Sequence, residues 1–234
     1  MKKTILFSIV AMAGLLFASC VKEDHAVNQR VTYYPVFDIT GGNTVAWQLG
    51  DAWADPGYAA TLNGEDVTSK VEVYSDLDTD APGIYNIDYV FVNEDGFEGS
   101  VSRTVVVYDI ANASDIDISG SYSKLTLIDA GADMSSRVPY TMTITPGPGA
   151  GLFYMQDLLC GYFSIGRGYG NAYAFYALIQ LNKDNSIDLL QTKNAWPYAI
   201  LDNGDSLYDP ESGSVTVNWF WAGWGDDLTC VYAN

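Results

Sequence analysis

Histidine is almost missing from this chain: the only one in 234 residues is His25. That excludes a histidine-dependent catalytic triad and a histidine metal cluster from everything downstream of it. Basic residues are scarce too, 11 against 29 acids, and the formal net charge is −18. The excess is spread along the chain, with 14 acids to 3 bases over residues 29–109 and 13 to 5 over residues 110–234. An evenly acidic surface repels phosphate backbones, which excludes nucleic acid as a partner. Only three cysteines are present, too few to supply a four-ligand zinc site without histidine. No apolar run is long enough to span a membrane as a stable helix, and helix-period patterning is hard to find. There is no G-x-S-x-G elbow, and no glycine loop is followed by Lys and Ser or Thr. Nothing implies a cofactor. A glycoside hydrolase needs only two carboxylates, so the acids leave that single enzyme class open, and the reading is of a chain that does no chemistry.

What the chain does have begins with an address. Lys2 and Lys3 precede an apolar run from Ile5 to Phe17, then come Ala18, Ser19 and Cys20. A short basic segment followed by an apolar stretch of this length reads as a secretory signal over residues 1–19. The ending L-F-A-S-C resembles a bacterial lipobox, which implies that Cys20 is lipidated and becomes the mature N-terminus. Acyl chains at ~0.8 kcal/mol per buried CH₂ would then hold the protein on the outer membrane. The next residues, Val21-Lys22-Glu23-Asp24, resemble the lysine-plus-acids signal that sends Bacteroidetes lipoproteins to the cell exterior. Lys22, Glu23 and Asp24 are therefore the candidate export signal, and residues 20–30 a polar tether. Removing residues 1–19 takes away Lys2 and Lys3 and no acid, so −18 becomes −20 in the mature chain. Cys160 and Cys230 then remain in an oxidising compartment. One bridge is open to them, but apolar strand-like contexts and a large core favour two separate buried thiols.

Aromatics at 14% with charged residues at only 17% exclude disorder and supply ample core. Alternating runs such as Thr104–Tyr108 and Tyr140–Ile144, with frequent Gly and Asp turns, read as all-β. A first domain over residues 31–109 carries about seven short strands, the pattern of a sandwich. Its segments G-D-A-W-A-D-P-G-Y, D-V-T-S-K-V, D-T-D-A-P-G-I-Y, Y-V-F-V-N-E-D-G and R-T-V-V-V resemble bacterial surface immunoglobulin-like domains. Such modules are mostly spacers, which implies a structural role for this half. Tyr85 is placed to act as the corner tyrosine of such a sandwich. Asp76, Asp78 and Asp80 alternate like a calcium loop, but Ala81 and Ile87 stand where the loop needs Gly and Glu, so they read as a solvated turn.

Residues 110–117 are small and polar and read as a linker. The second domain, residues 118–234, offers strand candidates at 121–128, 139–145, 151–157, 159–166, 173–182, 186–192, 197–202, 214–221 and 227–233, an antiparallel β-barrel or sandwich. The G-S-Y opening, G-R-G-Y-G-N-A-Y centre and Y-D-P-E-S-G-S-V-T-V close resemble lipocalin-like C-terminal domains of Bacteroidetes lipoproteins. Gly166–Gly170 reads as a tight turn rather than a phosphate loop, because no helix follows it.

Aromatics carry the functional expectation. Trp219 and Trp221 share one strand face while Phe220 takes the other, and Trp224 sits at a glycine-flanked tip. Rings beside acids and amides stack on sugar faces while the polar groups bond hydroxyls. The candidate ligand-binding residues are Trp196, Trp221, Trp224, Asp226 and Asp227. The reading is a surface lipoprotein that binds carbohydrate or a similar ligand, accessory to nutrient uptake. The resemblance implies the company of a TonB-dependent import porin. Two alternatives stand beside it: a structural or adhesive lipoprotein whose aromatics are all core, and a calycin-type barrel enclosing a small hydrophobic ligand.

Overall fold

A computed structural model describes residues 31–138 and 141–234; Cys20, Lys22, Glu23 and Asp24 lie outside the described residues. The N-terminal half contains β1 (Val36–Ile39), β2 (Thr44–Gln48), β3 (Tyr58–Leu62), β4 (Glu65–Asp66), β5 (Glu72–Ser75), β6 (Gly83–Val92) and β7 (Glu98–Tyr108). One sheet has the order β1-β3-β4 and the other β2-β7-β6-β5, with β2 parallel to β7. The β6–β7 hairpin is closed by Asn93, whose Oδ1 accepts from the N–H groups of Asp95 and Phe97. Period-two alternation turns Ile87, Tyr89, Val105 and Val107 inward, where they meet Phe37, Trp47 and Tyr58. Tyr85 OH donates to Ala81 O at 3.0 Å, the upstream backbone bond of a tyrosine corner.

That core also holds a charge. Arg103 is fully buried, and its Nη2 donates to the carbonyls of Thr40 and Gly57 at 2.9 and 2.8 Å. Its Nη1 lies 3.5 Å from Asp55 Oδ1, and Tyr89 OH donates to Asp55 Oδ2 at 2.5 Å. Burial and the Asp55 bond push the Tyr89 phenol well above its ordinary value. Two carbonyls at Nη2 and the nearby Asp55 carboxylate replace part of the water that a buried guanidinium gives up.

Turn chemistry accounts for many of the aspartates. Asp66, Asp117, Asp133 and Asp184 each accept from the N–H two residues on, and bonds from that Thr or Ser lower their carboxyls below the usual value. Asp76 and Asp78 are used in the same way, accepting from the N–H groups of Asn86 and Asp80.

The C-terminal half contains β8 (Gly120–Tyr122), β9 (Lys124–Asp129), β10 (Ala132–Asp133), β11 (Met142–Pro146), β12 (Leu152–Met155), β13 (Tyr176–Leu181), β14 (Ile187–Lys193), β15 (Ile200–Asp202), β16 (Leu207–Asp209), β17 (Ser214–Trp221) and β18 (Asp226–Ala233). They form two sheets, β10-β9-β18-β17-β15 with β16 added on β17, and β14-β13-β12-β11-β8. Only an isolated bridge, Ser186↔Leu207, links the sheet edges at β14 and β16, so the barrel does not close and the sandwich alternative holds. Trp219, Trp221, Phe175, Leu127, Phe153 and Ile179 fill the space between the sheets. Among the described residues these side chains occupy the interior that a calycin-type barrel would keep open.

Two expectations are corrected here. Residues 159–166 are not a strand but a buried loop ending in one π-helical turn, Tyr162–Gly166. Cys160 lies in that loop with φ of 50° and is bonded to Cys230 on β18, their Cα atoms 6.4 Å apart. The thiols are not separate because the loop folds onto the inward face of β18. Closing a 70-residue separation removes unfolded-chain entropy worth about 4 kcal/mol.

Residues 109–117 are strapped to the second sandwich rather than loose. Ser114 N–H donates to Leu181 O, Gln180 Nε2 to Asp109 O, and Lys183 Nζ to Ala111 O. Val106 and Tyr108 pack against Ala113, Leu152 and Leu178 across the junction. A fragment of residues 29–110 is expected to give a β-type circular dichroism spectrum and a cooperative melt below that of the full chain, because exposing Val106 and Tyr108 forfeits a few kcal/mol. A random-coil spectrum would show that the two halves share one folding unit.

Candidate functional site

The loop from residue 157 to 175 builds one end of the second sandwich around a buried carboxylate. Asp157 is fully buried; its Oδ1 accepts from Leu159 N–H at 2.9 Å and its Oδ2 from Ser164 Oγ at 2.7 Å. Tyr232 OH donates to the Asp157 carbonyl from β18. Burial pushes the Asp157 carboxyl above its ordinary value, against the hydrogen bonds that lower it. The carboxylate contacts close on the loop itself and the carbonyl is taken by β18, so Asp157 organises structure rather than meeting a substrate.

The loop carries Phe163 to the centre of an aromatic cluster. Its ring lies 5.7 Å from Tyr169 in a stacked pair, 5.5 Å from Trp196, 5.6 Å from Trp224 and 6.0 Å from Trp221. Tyr173 meets Trp196 at 5.5 Å and Tyr169 at 5.5 Å. Tyr169, Tyr173 and Trp196 line an open pocket of about 420 Å³. Asn194 Oδ1 accepts from Trp196 N–H at 2.8 Å, a turn that fixes where the indole leaves the β14–β15 connection. Arg167 stands over the Tyr162 ring at 5.9 Å, and bonding to Tyr169 holds its guanidinium above its usual value.

Two glycines make this closeness possible. A Cβ on Gly166 would lie 1.8 Å from Arg137 O, and one on Gly223 would lie 2.5 Å from the Trp221 ring. Both positions require the bare backbone.

The candidate residues fare differently. Trp196 and Trp224 are half-buried at the rim with their rings against Phe163. Trp221 is 3% exposed and belongs to the core, so as a ligand face it is corrected: it lies on the inward face of β17 and backs Trp224 at 5.0 Å. Asp226 and Asp227 do not converge on one ligand. Paired opposite Trp221 and Phe220, they point to opposite faces of β18, and Asp227 Oδ1 accepts from Asn203 Nδ2 at 2.9 Å. The sequence reading missed Phe163, Tyr169, Tyr173 and Arg167. Their signal was present as the ring density over 162–176, but the apolar run before it reads as a strand.

A family model described as an Ig-like domain of bacterial surface proteins matches residues 37–107. A second, for a C-terminal domain, matches residues 112–232, more than half of the chain. The crystal structure of the lipoprotein BT2262 from Bacteroides thetaiotaomicron is 30% identical over 86% of this chain and 100% of that one, with a TM-score of 0.44. The chain belongs to this family of Bacteroides lipoproteins. Two structures containing CBM51 domains of ZmpB from Clostridium perfringens, one in complex with GlcNAc, are 17% identical at a TM-score of 0.30. The chain covers 14% and 31% of those two, and so low a score carries no argument about a ligand here. No curated protein matches the chain. In this family member the first match ends at residue 107 and the second begins at residue 112, within the strap at residues 109–117.

A raised carboxyl makes Asp157 a pH-dependent part of the rim's support. Its protonation stabilises the fold fully below the ordinary carboxylate range, and that contribution is lost as pH rises through the folded value. Asp157→Asn keeps an acceptor for Leu159 N–H but cannot ionise. The wild-type melting temperature is therefore expected to fall relative to Asp157→Asn as pH rises across that window. Asp157→Ala orphans the loop donors and costs about 2–4 kcal/mol. A wild-type-to-Asn gap that does not change with pH would contradict the assignment.

Proposed function

We propose that this chain is a cell-surface lipoprotein that binds carbohydrate without catalysis, through the aromatic rim of its second domain. One observation carries the reading: Tyr169, Tyr173 and Trp196 frame an open pocket while Phe163 braces all but Tyr173 from behind. Ring faces held at a pocket mouth suit the apolar faces of a sugar, and Arg167 adds hydroxyl donors at the edge. The non-catalytic part is supported by the carboxylates. Asp226 and Asp227 diverge, and Asp157 is enclosed by its own loop, so neither supplies the facing pair that glycoside hydrolysis uses. Lipidation at Cys20, export through Lys22, Glu23 and Asp24, and service to a TonB-dependent porin complete the proposal. In it the first sandwich is the spacer that lifts the rim from the outer membrane.

The test is calorimetry with glycans selected on an immobilised panel of dietary and host polysaccharides. Tyr169→Ala, at a residue 44% exposed, should weaken binding by ~1–3 kcal/mol, roughly 5- to 150-fold, with only a small drop in melting temperature from the lost stacking on Phe163. Trp196→Ala should show a similar loss of affinity with some loss of stability, because its ring also packs on Phe163. Wild-type affinity in both variants would overturn the rim and favour the structural reading.

A further inference from the structure

The outward face of the β14-β13-β12-β11-β8 sheet is divided into two halves of different chemistry. On one half Leu152, Leu178 and Leu190 pack against Val106, Tyr108 and Ile84 of the first sandwich. Among the described residues the other half carries no such cover, and there threonine, glutamine and tyrosine side chains stand beside the apolar ones. The strand register sets two cross-sheet rows there. Thr145 lies opposite Tyr154, with Leu178 and Gln191 continuing the row across β13 and β14. In the next row Gln156 is joined to Thr143 across β11, and Tyr176 lies opposite Lys193.

These residues line an open groove of about 640 Å³. Tyr154 and Tyr176 are both 41% exposed and sit on diagonal positions of one face, roughly 7–8 Å apart at Cα. Gln156 Oε1 accepts from Thr143 N–H at 3.2 Å, which fixes the amide that carries the Nε2 donors. Among the described residues Lys193 is the only charged side chain in the lining, in a chain with 29 acids.

We propose that this groove is a second binding site, distinct from the Trp196 rim, and that its occupant is a neutral, linear polysaccharide segment. Two tyrosine rings present faces for successive or alternate sugars. Thr143, Thr145, Gln156 and Gln191 supply neutral donors and acceptors suited to hydroxyls. An acidic polymer would meet the repulsion of the whole surface, and no carboxylate lines the groove to bind a cation or a basic peptide. Hydroxyls and amides set between the two exposed rings favour a hydroxylated polymer as the occupant, and a second copy of the chain is the alternative that the test separates. The inference shares the carbohydrate reading of the rim but rests on separate residues, so each can fail alone.

Electrophoretic retardation of the full chain, purified in detergent, through gels holding soluble starch, mannan, xylan or mixed-linkage β-glucan tests it. The wild type is expected to be retarded in at least one gel. Tyr154→Ala/Tyr176→Ala should raise the dissociation constant at least ~10-fold, with the melting temperature within a degree or so because both rings are exposed. Gln156→Ala should give a smaller loss, and whatever retardation Trp196→Ala keeps should disappear when Tyr154→Ala/Tyr176→Ala is added to it. Absence of retardation in every gel, or wild-type retardation of the double tyrosine variant, overturns the inference. If Trp196→Ala alone abolishes retardation, the groove falls and the rim stands. A wild type that sediments as a dimer and a double variant that sediments as a monomer would instead make the groove an interface between copies, and also overturns it.

Discussion

The enclosure of one carboxylate, Asp157, is the constraint on which the candidate rim depends. A buried ion is expensive unless its acceptors are used, and the loop that follows uses them with Leu159 N–H and Ser164 Oγ. That bonding bends the chain inward at residues 157–164 instead of letting it run on as a strand. The bend puts Cys160 against Cys230 and brings Tyr232 OH to the Asp157 carbonyl. Two ties of different kinds, one covalent and one hydrogen-bonded, thus hold one short loop to β18, while the Asp157 carboxylate holds the loop's own bend. Phe163 projects from that loop, and the rim rings lean on Phe163. The rim is therefore built on a core element although no strand carries its central ring.

The rest of the second sandwich is arranged to leave this end open. Trp219 and Trp221 close the interior and give the half-buried Trp224 a wall to rest on. Gly223 lets the β17–β18 turn cross directly over the Trp221 ring, and Gly166 lets the π-helical turn touch the Arg137 carbonyl. The first sandwich does not reach this end. It packs on the opposite, outward sheet face through Val106 and Tyr108, and the strap at residues 109–117 fixes that junction by hydrogen bonds from Gln180, Lys183 and Ser114. The two family matches fall one on each half of the chain, over residues 37–107 and 112–232.

Much of the fold was legible in the chain because period-two patterning and turn chemistry are local. The β6–β7 hairpin follows from Asn93-Glu94-Asp95-Gly96, and the tyrosine corner at Tyr85 follows from its place near the start of that hairpin's first strand. The shared face of Trp219 and Trp221 was also readable. That this face is the core was not, since alternation assigns faces without saying what covers them. The loop at 159–166 misled for a related reason: a fully buried loop has the apolar composition of a strand, and its backbone is satisfied by Asp157 and a π-helical turn that leave no pattern in composition. The disulfide depends on that loop, so it was lost with it. The divergence of Asp226 and Asp227 was within reach, because neighbours on a strand point to opposite faces. The groove at Tyr154 and Tyr176 needed the register of four strands, which no local pattern supplies.

Amide hydrogen exchange of residues 157–166 in the oxidised full chain tests the central claim most directly. If the loop is a core element held by Asp157, the disulfide and Tyr232, its hydrogen-bonded amides at Leu159, Cys160 and Tyr162 should exchange as slowly as those of β17 and β18, near the global unfolding limit. Exchange as fast as that of the exposed turn at Asp184–Asn185 would contradict the account, because a loop that opens independently of the sandwich cannot hold the rim.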